Sequence, residues 1–137
     1  MSSAGNGTGL PNPERVLRVL IVDDNRDAAE SMQVLLQMAG HEAVVASDGY
    51  AALRLGAEFG PDVVVLDIGM PGMDGYETCR ALRQEPWGTT VTAIALTGWG
   101  QDTDRRTSKD AGFDGHLVKP AGPDELMTLL ASLRTSD

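Results

Sequence analysis

The stretch VLRVLIVDDN, Val16 to Asn25, runs an apolar segment straight into two adjacent carboxylates. Its Val, Leu and Ile residues, interrupted once by Arg18, read as a buried β-strand. At the end of such a strand the repulsion between Asp23 and Asp24 is poorly screened, so something must offset it. A bound cation would do so. Another reading is that Asp23, Asp24 or Asn25 caps the helix that follows, since short polar side chains accept hydrogen bonds from orphan amides at a helix start. Taken alone, the pair favours the cap, and the rest of the chain has to decide.

Four further runs follow: EAVVA from Glu42, DVVVL from Asp62, TAIAL from Thr92 and GHLV from Gly115. Each is short and aliphatic, and a helix-like segment follows it, which is the alternation of an α/β domain with a parallel sheet. Ala28, Met32, Leu35, Leu36 and Ala39 make one helical stripe, and Leu126, Leu129, Leu130 and Leu133 make another. Tyr76, Cys79 and Leu82 form a weaker stripe after Gly75, and Ala51, Ala52 and Leu55 define a helix that stops before Pro61. The segment Gly100 to Gly112, GQDTDRRTSKDAG, is helical in composition but has almost no apolar face, so its helix, Gln101 to Ala111, is expected to be the least firmly held. Parallel strands with helical crossovers give an open sheet covered on both faces, and ligands bind at the carboxyl ends of its strands.

Composition narrows the function classes. At 137 residues with 42% hydrophobic content the chain suits one domain and one core. Eleven Lys and Arg against twenty Asp and Glu leave a net charge of −9, which repels nucleic acid and anionic membranes. No apolar run approaches the roughly 20 residues that span a bilayer, and the N-terminus lacks a signal-peptide pattern, so a cytoplasmic location is expected. Cys79 is the only cysteine and falls among apolar helical positions, with no redox role assigned. Residues 1–14, rich in Gly, Ser, Asn and Pro, read as a flexible arm or linker, residues 15–135 as the domain and 136–137 as a short C-terminal end. With no sequence after Asp137 for an output domain, the output is expected to be a protein contact.

The strand ends carry Asp23 and Asp24 after the first run, Asp67 after the third, Thr97 after the fourth and Lys119 after the fifth. Each has an ordinary explanation: Asp67 could cap a turn in DIGMPGMDG, Thr97 could open the loop TGWG, and Lys119 could be a solvated charge before Pro120. Together on one rim they are harder to dismiss. Three carboxylates without a Cys or His cluster form a hard oxygen site suited to Mg²⁺, with Mn²⁺ possible. Lys119 and Thr97 add a positive charge and a hydroxyl donor for an anion beside it, which suits phosphoryl transfer onto Asp67.

The segments LIVDDN, VVVLDIGMPGMDGYE, IALTGWG and HLVKP, in this order and spacing, resemble the response-regulator receiver domain of two-component phosphorelays over Val16 to about Leu133. The resemblance implies a flavodoxin-like (βα)5 sandwich, a five-stranded parallel sheet of order 2-1-3-4-5. It also implies a phosphoacceptor that promotes its own phosphorylation and dephosphorylation, not an enzyme with a separate substrate. Asp67 would take the phosphoryl group from a phosphohistidine on a sensor histidine kinase or a histidine phosphotransfer protein. Asp24 would bind Mg²⁺ directly, Asp23 largely through water, with Asp67 and the backbone carbonyl of Gly69 completing the ligands. Lys119 would bridge Asp67 and the phosphoryl group, Thr97 would swing in to it, and the Lys119 to Pro120 bond would be cis.

Two positions depart from the commoner pattern of that family. His116 stands where many receivers carry a Tyr or Phe coupled to the Thr, so it is either a switch residue or only a half-buried strand residue. Gly69 offers no side chain over the phosphoryl group, and Trp99 stands two residues past Thr97, where it could cover that group. Beyond the partner kinase, a downstream protein target is implied, with no direct nucleic acid and no membrane. The competing origins are a stand-alone receiver, the receiver of a hybrid sensor kinase, or a phosphorylation-independent scaffold of the same fold. A flavin module is disfavoured because Asp23 and Asp24 occupy the place of its phosphate loop. A phosphatase with an aspartate nucleophile would need a second catalytic acid near Asp67, and none is seen.

Overall fold

A computed structural model describes residues 16–98 and 105–135. Five strands alternate with five helices: β1 (Arg18–Val22), α1 (Arg26–Met38), β2 (Glu42–Ala46), α2 (Gly49–Phe59), β3 (Val63–Asp67), α3 (Gly75–Arg83), β4 (Thr92–Thr97), α4 (Arg105–Ala111), β5 (Gly115–Val118) and α5 (Pro123–Thr135). The strands are all parallel, in the order β2-β1-β3-β4-β5. This is the flavodoxin-like topology expected from the resemblance. The arm at 1–14, the residues 136–137, Trp99 and the first residues of the polar helix, 101–104, lie outside the described residues.

Central strands buried on both faces need continuous aliphatic runs, and β3 supplies Val63, Val64, Val65 and Leu66 with every side chain enclosed. Alternation divides the core in two. Leu20, Val64, Leu66, Ala93 and Ala95 face Ala52, Cys79 and Leu82 of α2 and α3. Val19, Ile21, Val63, Val65 and Ile94 face Met32 and Leu36 of α1 and Leu126 and Leu130 of α5. No helix among the described residues is long and apolar enough to cross a membrane.

The helix starts are set locally. Asn25 accepts from the Ala28 amide at 3.1 Å, so the cap that the sequence left open among three residues belongs to Asn25, which leaves the aspartates for other work. Asp48 caps α2 through the Ala51 amide, and Asp74 with Glu77 forms a reciprocal capping box on α3. The α1 stripe is corrected by the structure. Ala29, Met32 and Leu36 are buried, while Leu35 is 45% exposed and Ala39 lies beyond the last turn as the C-cap. The helix rests on the sheet along a narrower line than its apolar content suggests, and Val34, Leu35 and Met38 face outward. On α5, Leu126 and Leu130 are buried and Leu129 and Leu133 pack beside them, as the stripe predicts.

Tertiary links hold the end of the sheet remote from the acidic rim. Arg83 uses all five guanidinium N–H groups: Nε and Nη2 on the Gly112 carbonyl, Nη1 on the carbonyls of Gly88 and Val91, and Nη2 on Asp114. It thereby ties the end of α3 to the start of β4 and to the turn between α4 and β5. Trp87, in a short 3-10 turn at Pro86–Gly88, lies so close to Gly56 of α2 that a β-carbon there would overlap its ring. Neither link was visible in the sequence periodicity.

Candidate functional site

β1 and β3 are neighbours, so their carboxyl ends deliver Asp23 and Asp67 side by side, with Asp24 next along the chain. One carboxylate oxygen from each of Asp23, Asp24 and Asp67 lies within 4.8 Å of the others. Asp23 is 1% exposed and Asp67 6%, whereas Asp24 is open to solvent. Two buried carboxylates this close are costly unless paired, and the pairing is present. Lys119 Nζ lies 3.0 Å from Asp23 Oδ2 and donates to Asp67 Oδ2 at 3.1 Å. The remaining oxygens are held by the backbone: Asn25 N–H donates to Asp23 Oδ1 and Gly69 N–H to Asp67 Oδ1, each at 2.9 Å. Asp67 therefore also makes the turn cap that its sequence context offered.

Charge is unevenly distributed over this trio. Burial pushes the Asp23 carboxyl above its ordinary range, against the pull of the Asn25 amide and Lys119, and neighbouring Asp67 pushes the same way. Burial also acts to raise Asp67, but the Gly69 amide, the Asp23 side chain and Lys119 outweigh it, so Asp67 stays below the usual carboxylate range. For Lys119 burial works against the charge, yet the two carboxylates prevail and hold its proton more firmly than in water. The nucleophile expected from the sequence is thus the carboxylate kept ionised.

Thr97 ends β4 and is buried, its Oγ1 donating to the Leu117 carbonyl at 3.4 Å. Lys119 N–H donates to the Thr97 carbonyl at 2.7 Å, which fixes the segment carrying the lysine against β4, and the Lys119–Pro120 peptide is cis. His116 pairs in register with Ala95, two residues before Thr97, and Thr97 pairs with Val118, so His116 and Thr97 share one face of the sheet. His116 is half-buried there. Gly69 is exposed beside Asp67 and leaves that side of the carboxylate open.

Sequence reasoning missed Gly75. A β-carbon on it would come 2.5 Å from Ile68 Cα and 2.6 Å from the Asp67 carbonyl oxygen, so only glycine lets the start of α3 press on the loop that holds the aspartate. The signal was present in MDG, between a turn and an apolar stripe, but a close backbone approach is not written in periodicity.

Comparison with known proteins agrees with this fold. The family model of the response regulator receiver domain matches residues 19–131. A relative from Guillardia theta named "Probable transcriptional regulator ycf27" is 43% identical over 109 residues, 80% of this chain and 42% of that protein, so the chain spans about half the length of the curated relatives it matches. Among solved structures, the chemotaxis protein CheY4 of Vibrio cholerae superposes with a TM-score of 0.78 at 30% identity, over 87% of this chain and 99% of that one. The receiver domain of sensor histidine kinase PA1611 from Pseudomonas aeruginosa PAO1, with a magnesium ion coordinated in its active site cleft, superposes with a TM-score of 0.75 at 29% identity, over 89% and 100%.

Proposed function

The chain belongs to the response regulator receiver domain family, and from that premise we propose that it takes a phosphoryl group onto Asp67 in a Mg²⁺-dependent step and thereby switches a protein-binding surface. The donor is a phosphohistidine of a sensor histidine kinase or of a histidine phosphotransfer protein, and the reaction takes place in the cytoplasm. One observation carries the reading: a nearly buried Asp67 carboxylate stands 3.1 Å from Lys119 Nζ, with two further carboxylates within ligand reach.

An all-oxygen donor set of three carboxylates fits a hard divalent cation, Mg²⁺ first and Mn²⁺ as the alternative. When bound, the cation supplies positive charge opposite the transferring phosphoryl group. Asp24 and Asp67 would ligate it with the Gly69 carbonyl, and Asp23 would act largely through water. The Asp67 carboxylate oxygen bonds to phosphorus as the donor's P–N bond breaks, and the bonding pair remains on the imidazole nitrogen. Lys119 then leaves Asp23 and bridges Asp67 and a phosphoryl oxygen. Thr97 turns its hydroxyl from the Leu117 carbonyl to the phosphoryl group, and His116, on the same face, is the residue that responds. The domain proper spans 15–135, and the net charge of −9 of the whole chain keeps it off nucleic acid and membranes.

The likeness to the receiver of a sensor histidine kinase supports a second origin, in which this segment belongs to a hybrid kinase and passes its phosphoryl group onward. The coding sequence flanking the segment separates the two. For the chemistry itself, intact mass is measured after incubation with acetyl phosphate, with Mg²⁺ or chelator, on wild type and Asp67→Asn. A gain of one phosphoryl mass that needs both Mg²⁺ and Asp67 is expected. Absence of any gain, also with a phosphohistidine donor, would leave the phosphorylation-independent scaffold.

A further inference from the structure

The helix α4 is seated unevenly. Its C-terminal end is firmly closed: Gly112, at φ +107°, donates to the Lys109 carbonyl and Phe113 to the Ser108 carbonyl, each at 3.0 Å, the paired bonds of a Schellman cap. Phe113 is buried and meets Tyr76 of α3 edge to face, with centroids 6.2 Å apart. Arg83 then grips the Gly112 carbonyl with two N–H groups, at 2.7 and 3.1 Å.

The body of the helix is held differently. Among the described side chains its enclosed residues are small, Ser108 and Ala111, so these contribute little by burial. Ser108 is 0% exposed, and its hydroxyl has no hydrogen-bond partner among the described residues. A hydroxyl taken from water and left unpaired opposes the packing that buries it, and it recovers a partner as soon as the helix lifts.

We propose that Ser108 is a built-in bias on the switch: its buried, unpaired hydroxyl weakens the seat of α4, so that the helix lifts about the Gly112 anchor when the receiver is phosphorylated. This rests on the reading of Asp67 as phosphoacceptor. The upstream end of α4 follows Thr97 closely in the chain, so a displacement at Thr97 reaches that end first, while Arg83 holds the Gly112 end. A small apolar residue at position 108 would give a tighter α4 and a receiver slower to respond.

The test is hydrogen exchange of the α4 amides in the whole chain, comparing wild type with Ser108→Ala and with the near-isosteric Ser108→Cys, each with and without Mg²⁺ and beryllofluoride. Without the phosphoryl mimic, both variants are expected to exchange about fivefold more slowly or beyond, the ratio that a difference near one hydrogen bond produces. Equal or faster exchange overturns the proposal. With the mimic, wild-type α4 should open more than Ser108→Ala; equal opening in both overturns the bias on the switch. Acetyl phosphate labelling on the same samples reads Asp67 separately, so a failed acceptor and a sound seat are told apart.

Discussion

Lys119 and Asp23 meet across the rim of the sheet, Nζ 3.0 Å from Oδ2, although β3 and β4 stand between the strands that carry them. The ammonium and a divalent cation are both drawn to this acidic cluster, so the lysine is expected to oppose the ion by like-charge repulsion. Lys119→Met should therefore bind Mg²⁺ tighter, by roughly threefold to tenfold for a like-charge term of about 1 kcal/mol, while losing transfer to Asp67. Isothermal titration reads the first effect and acetyl phosphate labelling the second. Weaker Mg²⁺ binding in the variant would show that the lysine organises the ligands.

Asp23 carries a sign that can be checked. Its carboxyl lies above the ordinary range because it is buried. Between the unfolded value and this raised folded value the native state holds more protons than the unfolded chain, so stability falls as pH rises through that window. Above that window the ionised, buried Asp23 costs stability that Lys119 offsets only in part. Asp23→Asn should raise the stability read by urea unfolding with chelator at pH values above that window, and it should remove the gain in stability that saturating Mg²⁺ confers on wild type. For Asp67, whose carboxyl is lowered, the sign is opposite: its contribution is present above the unfolded value and disappears as pH falls through the folded one.

Gly75 links packing to the site. In Gly75→Ala the new β-carbon faces backbone atoms, Ile68 Cα and the Asp67 carbonyl, neither of which can rotate away. A loss of about 2–3 kcal/mol is expected from such overpacking, together with weaker Mg²⁺ binding because the Gly69 turn must shift. Thermal unfolding and Mg²⁺ titration on one preparation test both. Stability lost with unchanged metal affinity would mean that α3 moves and the turn does not.

Cys79 is fully enclosed between α3 and the sheet, and burial pushes its thiol up to about 11. It should stay protonated and unreactive in the native state, with labelling by a disulfide reagent at pH 8 limited by opening of the fold. As pH rises from the ordinary thiol range toward 11, the unfolded chain loses this proton first, so stability declines through that interval. A labelling rate that matches a free thiol would place Cys79 in an open region.

The legible part of the site consisted of residue types at strand ends. Asp23, Asp24, Asp67, Thr97 and Lys119 could be chosen because each follows an aliphatic run, and a run marks a strand whose end is known to within a residue or two. The phase of α1 was less legible. Leu35 and Leu36 are equally apolar, but only Leu36 meets the sheet, since α1 lies along one narrow line beside β2 and α5.

The sequence by itself determined the alternation of five strands and five helices, the Asn and Asp residues able to cap them, and the acid-rich rim, because these depend on neighbours a few residues apart. Only the tertiary structure decided which oxygen meets which cation. Lys119 and Asp67 are 52 residues apart in the chain and 3.1 Å apart in space, a distance set by the strand order 2-1-3-4-5. The same holds for the five bonds of Arg83, for Trp87 against Gly56 and for the enclosed hydroxyl of Ser108. Periodicity states which face of an element is apolar; what lies opposite that face follows from packing over the whole chain, where contacts between distant segments are chosen together.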